Sequence, residues 1–288
     1  MPVILPALLG LFALLAAEPA ARPLPFYYDL YTFRGDGGMT TVVSAFAVEA
    51  GELETERVGD GVRYRFSVTL VLADPVVKSV TNTHDTVFVR VPRPLEDEHL
   101  LFTHASIDAP PSTTTRQRVI MTDATTPGIG QLYSDSFPIP DYSGSNLMLS
   151  DIALGHPDAN GGWRRGGATL ALLPTSQFPS SAFDVYYEIY NMPTGARYTT
   201  SILIQPIGGG DPVTLEFEGV SLAERGGVIP ELRRVETSLE RGSYRITVTI
   251  TNRDTGVRVS RSREFDVRGW DRGTTMVAAI PQQSGRRR

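Results

Sequence analysis

Apolar and polar residues alternate with a period of two along most of this chain. In "VRYRFSVTLVLAD" (62–74), Tyr64, Phe66, Val68, Leu70 and Leu72 fall on one side and Arg63, Arg65, Ser67 and Thr69 on the other. That is the pattern of a half-buried β-strand. "FYYDLYTF" (26–33) and "MTTVVSAFAV" (39–48) are aromatic or β-branched and suit a pleated surface. "RGDGG" between them reads as a turn. "TVFVRV", stopped by Pro92 and Pro94, is another strand, and "QRVIMTD" and "NLMLSDIAL" complete a first set.

A second set follows "GHPDANGGWRRGG" (155–167), which is rich in Gly and polar residues and has no period. It begins with "ATLALLP" and "FDVYYEIYNMPTGARYTTSILI" (183–204), where "NMPTGAR" has the length of a hairpin loop. "PVTLEFEGV" comes next. "SLERGSYRITVTITNRDTGVRVSRSREFDV" (238–267) reads as a terminal hairpin with one buried and one wet face. Its Leu239, Gly242 and Tyr244 have the spacing of a tyrosine corner, in which the phenol pins a Greek-key crossover to nearby backbone. Helix is scarce: "IPELRRVETSL" has room for one or two turns at most.

The pattern therefore predicts an all-β chain with two tandem immunoglobulin-like, Greek-key β-sandwich domains after a signal peptide. The expected boundaries are 1–21 for the signal peptide, 22–155 for the first sandwich, 156–167 for a linker, 168–268 for the second sandwich and 269–288 for a flexible tail. The start, "MPVILPALLGLFALLAAEPAARP", carries an apolar run too short for a membrane span, which needs about 20 residues. It suits the apolar region of a secretory signal cleaved after Ala17 or a few residues later, although no Lys or Arg precedes it. Export, to the periplasm or beyond the cell, is the expectation, and no later segment is apolar enough to span.

Composition narrows the chemistry. The net charge is −5, against the cationic surface that nucleic-acid binding requires. With no cysteine there is no disulfide, thiolate nucleophile, Cys-ligated zinc or lipoprotein anchor. The basic side chains are nearly all arginine, and Lys78 is the only lysine.

Several strings together, "FYYDLYTFRGDGGMTTVVSAFAV", "VRYRFSVTLVLADP", "NLMLSDIAL", "FDVYYEIYNM" and "TSLERGSYRITVTITNRDTGVRVSRSREFDV", resemble the β-rich region of bacterial GWxTD-domain proteins over roughly residues 26 to 268. Of these, "LSDI" and "VYYEIYN" are the most telling. The Gly-Trp-x-Thr-Asp segment itself is absent; "GWDRG" (269–273) shares only Gly-Trp. The resemblance implies an exported bacterial β-protein. It implies no catalytic residue, cofactor or metal.

The strongest candidate site is the alternate face of "FDVYYEIY". Val185, Tyr187 and Ile189 read as core. Tyr186, Glu188 and Tyr190, with Asp184, read either as sheet surface or as a sugar-binding platform that Trp163 would extend. As surface, Glu188 would pair with Arg197 across the expected hairpin. Asp151, at the end of an apolar strand, reads as a structural carboxylate bonded to backbone or to an arginine near the domain junction. No Gly-x-Ser-x-Gly elbow accompanies it. His99 and His104, five apart, would face opposite sides of a strand and so do not chelate one metal. "DANGG" (158–162) lacks the later positions of a calcium loop.

Three functions follow in order: an exported non-enzymatic protein acting in contact with another exported or envelope protein or in cell-envelope scaffolding; a carbohydrate-binding module using exposed tyrosines; and a hydrolase at the domain junction around Asp151 and His156. No cofactor is expected.

Overall fold

The computed structural model describes residues 22–125, 128–134, 136–157, 162–174, 182–222, 227–237, 239–267, 277–278 and 280–281. Apart from two single-turn 3-10 segments, their regular elements are all strands. No helix among these residues is long and apolar enough to cross a membrane. The expected signal peptide, 1–21, lies outside the described residues.

The strands form four sheets among the described residues. Sheet I is ordered Arg22–Pro23, Gly128–Ser134, Arg116–Asp123, Gly61–Asp74, Ser79–Val91 and Ile280–Pro281, with Thr55–Val58 also paired to Gly61–Asp74. Sheet II runs Tyr27–Arg34, Thr40–Glu49, Leu100–Ala109 and Val277–Ala278. In sheet III, Phe183–Tyr190 lies between Val228–Val235 on one side and both Met148–Leu149 and Ala153–Pro157 on the other. Ala168–Leu172 and Trp163–Arg165 follow outward. Sheet IV is Val213–Val220, Arg197–Pro206, Gly242–Asn252 and Arg258–Val267.

Three apolar layers separate these sheets. Leu30, Val42, Phe46, Phe66, Val68, Leu70 and Val119 fill the space between sheets I and II. Val185, Tyr187, Ile189, Ile202, Ile246 and Val248 fill that between sheets III and IV. Between sheets II and III lies a third layer, in which Tyr31, Phe33, Val43 and Ala45 meet Ala153, Trp163, Leu170 and Tyr186. Sheets II and III are thus covered on both faces. This is why all eight residues of Phe183–Tyr190 are buried, whereas Gly61–Asp74 keeps the expected one-sided alternation.

Several sequence-based boundaries shift. Within the stretch expected to close the first sandwich, Met148–Leu149 and residues 153–155 belong to sheet III, where Ala153 and Gly155 pair with Tyr186 and Asp184. The described parts of the expected linker, 156–157 and 162–167, belong to sheet III and its turn. His156 and Pro157 pair with Ala171 and Leu170, and Trp163–Arg165 forms a hairpin with Ala168–Leu172. Two of its glycines serve the turn: Gly166 and Gly167 have φ of 53° and 81°, in the left-handed region that favours glycine. A Cβ on Gly166 would also come within 2.5 Å of the Tyr186 hydroxyl. Residues 158–161 lie outside the described residues.

"NMPTGAR" is likewise no hairpin loop. Met192 and Ala196 are buried in the layer between sheets III and IV, so the chain arches from one sheet to the other. "IPELRR" is a strand along Phe183–Tyr190, at an edge where Pro230 removes no needed donor. From the expected tail, Val277–Ala278 and Ile280–Pro281 pair with sheets II and I; its other residues lie outside the described set.

Candidate functional site

Strand pairing and the II–III layer together decide the fate of the tyrosine–glutamate stripe. Even-numbered residues of Phe183–Tyr190 point away from sheet IV and toward sheet II. Tyr186 and Tyr190 are fully buried, Glu188 is 2% exposed and Trp163 4%. No ring of this set is open to solvent. Trp163 lies edge-on to Tyr186, with centroids 5.2 Å apart, and 5.1 Å from Phe33. A sugar platform needs exposed faces, so the stripe and Trp163 are interior instead.

Glu188 is the hub of this interior. Its Oε1 accepts from the Tyr186 hydroxyl at 2.7 Å and from Arg165 Nε at 2.7 Å. Its Oε2 accepts from the Tyr190 hydroxyl at 2.6 Å and from Arg165 Nη2 at 3.0 Å. Four donors match the four acceptor positions of a carboxylate. The cation partner is therefore Arg165, brought in by the hairpin turn at Gly166. Arg197 pairs instead with Asp254 at the exposed end of sheet IV. Burial, then the neighbouring Glu188 charge, pushes both phenols up, so neither ring is poised to act as a base. Burial alone would lower the Arg165 guanidinium, but the hydrogen bond and charge of Glu188 raise it overall.

Asp151 plays a comparable part. Its Oδ2 accepts from the Thr32 amide at 2.9 Å and the Thr32 hydroxyl at 2.6 Å, while Oδ1 lies 3.3 Å from Arg261 Nε. Preceding it, Ser150 exchanges two bonds with the Glu188 backbone: Ser150 N donates to Glu188 O at 3.0 Å, and Glu188 N donates to Ser150 Oγ at 2.8 Å. "LSDI" and "VYYEIYN" therefore meet at one place. At the end of the latter, Asn191 (φ 62°) accepts from Arg34 Nη2 and donates to the Gly144 and Asn146 carbonyls.

These contacts converge on the outer edge of Tyr27–Arg34. Alternate residues of an edge strand direct their peptide groups away from the sheet. Here the Leu30 carbonyl accepts from Arg263 Nη2 at 2.8 Å. Thr32 donates to the Asp151 carboxylate and accepts from the Asp151 amide at 3.1 Å. Arg34 donates to the Tyr190 hydroxyl at 2.8 Å, and its carbonyl accepts from Arg165 Nη2 at 2.6 Å. Side chains from sheets III and IV, with the Asp151 amide, replace a missing strand. Arg263 also pairs with Asp29 at 2.6 Å and covers the Tyr31 ring at 4.3 Å.

A cavity of about 550 Å³ opens beside this edge, lined by Thr32, Phe137, Ile139, Asp141, Asp151 and Arg261 among others. Asp151 and Arg261 meet each other on its wall, and no histidine is among its described lining residues. His156, expected near Asp151 in the hydrolase reading, is held in sheet III opposite Ala171. Among the described residues no group of three His, Asp or Glu side chains could hold a metal.

The tyrosine corner is formed. The Tyr244 hydroxyl donates to the Glu240 carbonyl at 2.9 Å, Leu239 is buried, and Tyr244 stacks on Phe265. Gly242 opens the strand opposite Val267.

Two histidines carry a testable consequence. Burial lowers His104 from 6.5 to about 4, and burial with the Arg234 charge lowers His156 to about 4. Both take up protons more readily once unfolded. Their contribution is complete above pH 6.5 and is lost as pH falls toward 4. Urea unfolding should show lower stability at about pH 5 than at about pH 7, and His104→Gln/His156→Gln should flatten that slope. Each pKa unit of separation is worth about 1.4 kcal/mol before solvent screening.

No protein-family model matches the chain, and no curated protein does. Similar solved structures include red sea bream transglutaminase, at 11% identity over 85% of this chain and 32% of that one, with a TM-score of 0.23. A calcium-binding mutant of Bacteroides uniformis beta-glucuronidase 2 matches at 11% identity over 82% and 28%, with a TM-score of 0.27. The chain spans about a third of the length of each. At these TM-scores neither likeness bears on function.

Proposed function

We propose that the chain is an exported, non-enzymatic β-sandwich protein that works by surface contact with another exported or envelope protein. In this reading residues 1–21 are the secretory signal, and two tandem sandwiches, sheets I with II and sheets III with IV, dock as one rigid body. The supporting observation is where the reactive-looking groups are spent. Asp151 ties Thr32 of sheet II to Arg261 of sheet IV, and Glu188 holds Arg165, Tyr186 and Tyr190, of which Arg165 and Tyr190 bond Arg34 of sheet II. A frame of that kind keeps a surface in fixed shape, which lowers the cost of ordering on binding. The resemblance to GWxTD-domain proteins points the same way.

The test is fractionation of cells producing the full chain, followed by cross-linking and mass spectrometry of the envelope fraction. The expected result is recovery of a shortened chain outside the cytoplasm, cross-linked through exposed residues to one reproducible exported partner. Retention of the intact chain in the cytoplasm would overturn the reading.

A further inference from the structure

The turn between Gly61–Asp74 and Ser79–Val91 is apolar where a soluble surface is normally polar. Val76, Val77 and Val80 are 69%, 65% and 65% exposed. Three large exposed apolar side chains within five residues form a patch rather than scatter. The turn is also held in shape. Asp74 Oδ1 accepts from the Val76 amide at 2.8 Å, the Val77 amide at 3.2 Å and the Thr114 hydroxyl at 3.0 Å, and Ser112 donates to Oδ2. The carboxylate that opens the turn, Asp74, is thus turned inward and saturated. From Pro75 to His84 there is no other acid, in a chain with 32.

Cations stand where the acids are missing. Lys78, the only lysine of the chain, is exposed in this turn. It has φ 55°, a left-handed conformation that glycine or asparagine adopts more readily. Exposed Arg116 lies opposite Ala73, which lies opposite Val80, so the three share a row on one face of sheet I.

We propose that this turn is a membrane-contact site that seats on an anionic lipid surface. The valines would enter the boundary between headgroups and acyl chains, and Lys78 and Arg116 would meet the phosphates. A bilayer fits the turn better than a protein does. A specific protein interface covers about 800 Å² on each partner, far more than this turn with Val80 and Arg116 beside it offers, whereas a fluid headgroup layer needs no matching pocket. The net charge of −5 repels the remainder of the molecule from such a surface, which leaves this end as the point of approach.

Co-sedimentation of the full chain with phosphatidylcholine vesicles, with and without phosphatidylglycerol, tests this. Binding is expected to the anionic vesicles, to fall with added salt, and to weaken at least about tenfold in Val76→Asp/Val77→Asp. Lys78→Gly should weaken it roughly fivefold without lowering the thermal midpoint, because glycine relieves the backbone. That second variant separates lost contact from lost folding. No binding to anionic vesicles, or equal binding by the Val76→Asp/Val77→Asp variant, overturns the proposal. The inference rests on the turn alone: vesicle binding by a chain found in the cytoplasm would sink the envelope reading and leave this one standing.

Discussion

Glu188→Ala is expected to destabilise the protein by about 3 kcal/mol or more, among the larger single-residue effects available in this fold. The substitution removes the acceptor of four hydrogen bonds at once and leaves the Arg165 guanidinium facing two phenols. Breaking a buried ion pair by removing one partner costs about 3–5 kcal/mol, because the other charge stays in a poor solvent. Arg165 is 22% exposed, so water recovers part of that cost and the lower end applies. Arg165→Ala should cost less than Glu188→Ala, since the carboxylate keeps both tyrosine donors. The double variant should lose clearly less than the sum of the two, by about 1 kcal/mol or more of coupling. Urea unfolding followed by far-UV circular dichroism reads all three. A cost below about 1 kcal/mol for Glu188→Ala would mean that water reaches the carboxylate, and the stripe would again be a candidate ligand face.

That prediction marks the point where sequence reasoning stopped. The strands facing solvent on one side were legible, because alternation survives there: Tyr64 to Leu72 and Tyr244 to Ile250 are buried as the pattern requires. The tyrosine corner was legible too, since its chemistry lies within six residues. The interior sheets were not. A strand covered on both faces has no wet side, and Asp184, Tyr186, Glu188 and Tyr190 imitate one. Their burial is tolerable because Arg165 and Arg34, and Arg234 for Asp184, come from other strands, and no local spacing reveals that. The same blindness made a linker of 156–167. Its glycines mark a tight hairpin pressed against Tyr186, and the aperiodic composition of such a turn is indistinguishable from that of a tether.

Nor could the edge of Tyr27–Arg34 be foreseen. An unpaired strand edge invites pairing with other chains, and proteins blunt it with charges, bulges or cover. Here the cover is a row of side chains, Arg263, Asp151, Tyr190 and Arg165, drawn from four separate stretches of the later sequence. Each is an ordinary surface residue by composition. Together they bond the first sheets to the last, and "LSDI" and "VYYEIYN" both supply residues to this edge.

Trp163→Ala should cost about 3–5 kcal/mol, the range for deleting a large buried aromatic, and should change how the protein unfolds. Trp163 fills the layer between sheets II and III, against Phe33 and Tyr186. If that layer is a true core, sheets I and II cannot come apart from sheets III and IV without exposing it, and the wild-type chain melts in one transition. With the indole gone, the II–III layer loses its largest side chain, and the tie rests on the smaller apolar contacts that remain and on the hydrogen-bonded edge, whose net worth per bond is only about 1 kcal/mol. The variant is therefore expected to melt in two steps by calorimetry, the first well below the wild-type midpoint. Trp163→Phe, which keeps most of the packed volume, should retain the single transition at a cost of about 1–2 kcal/mol. Two steps already present in the wild type would make the II–III layer a docking surface between independent domains. The Glu188 cluster would then be a latch between them, and the first step would be sensitive to Glu188→Ala while the second would not.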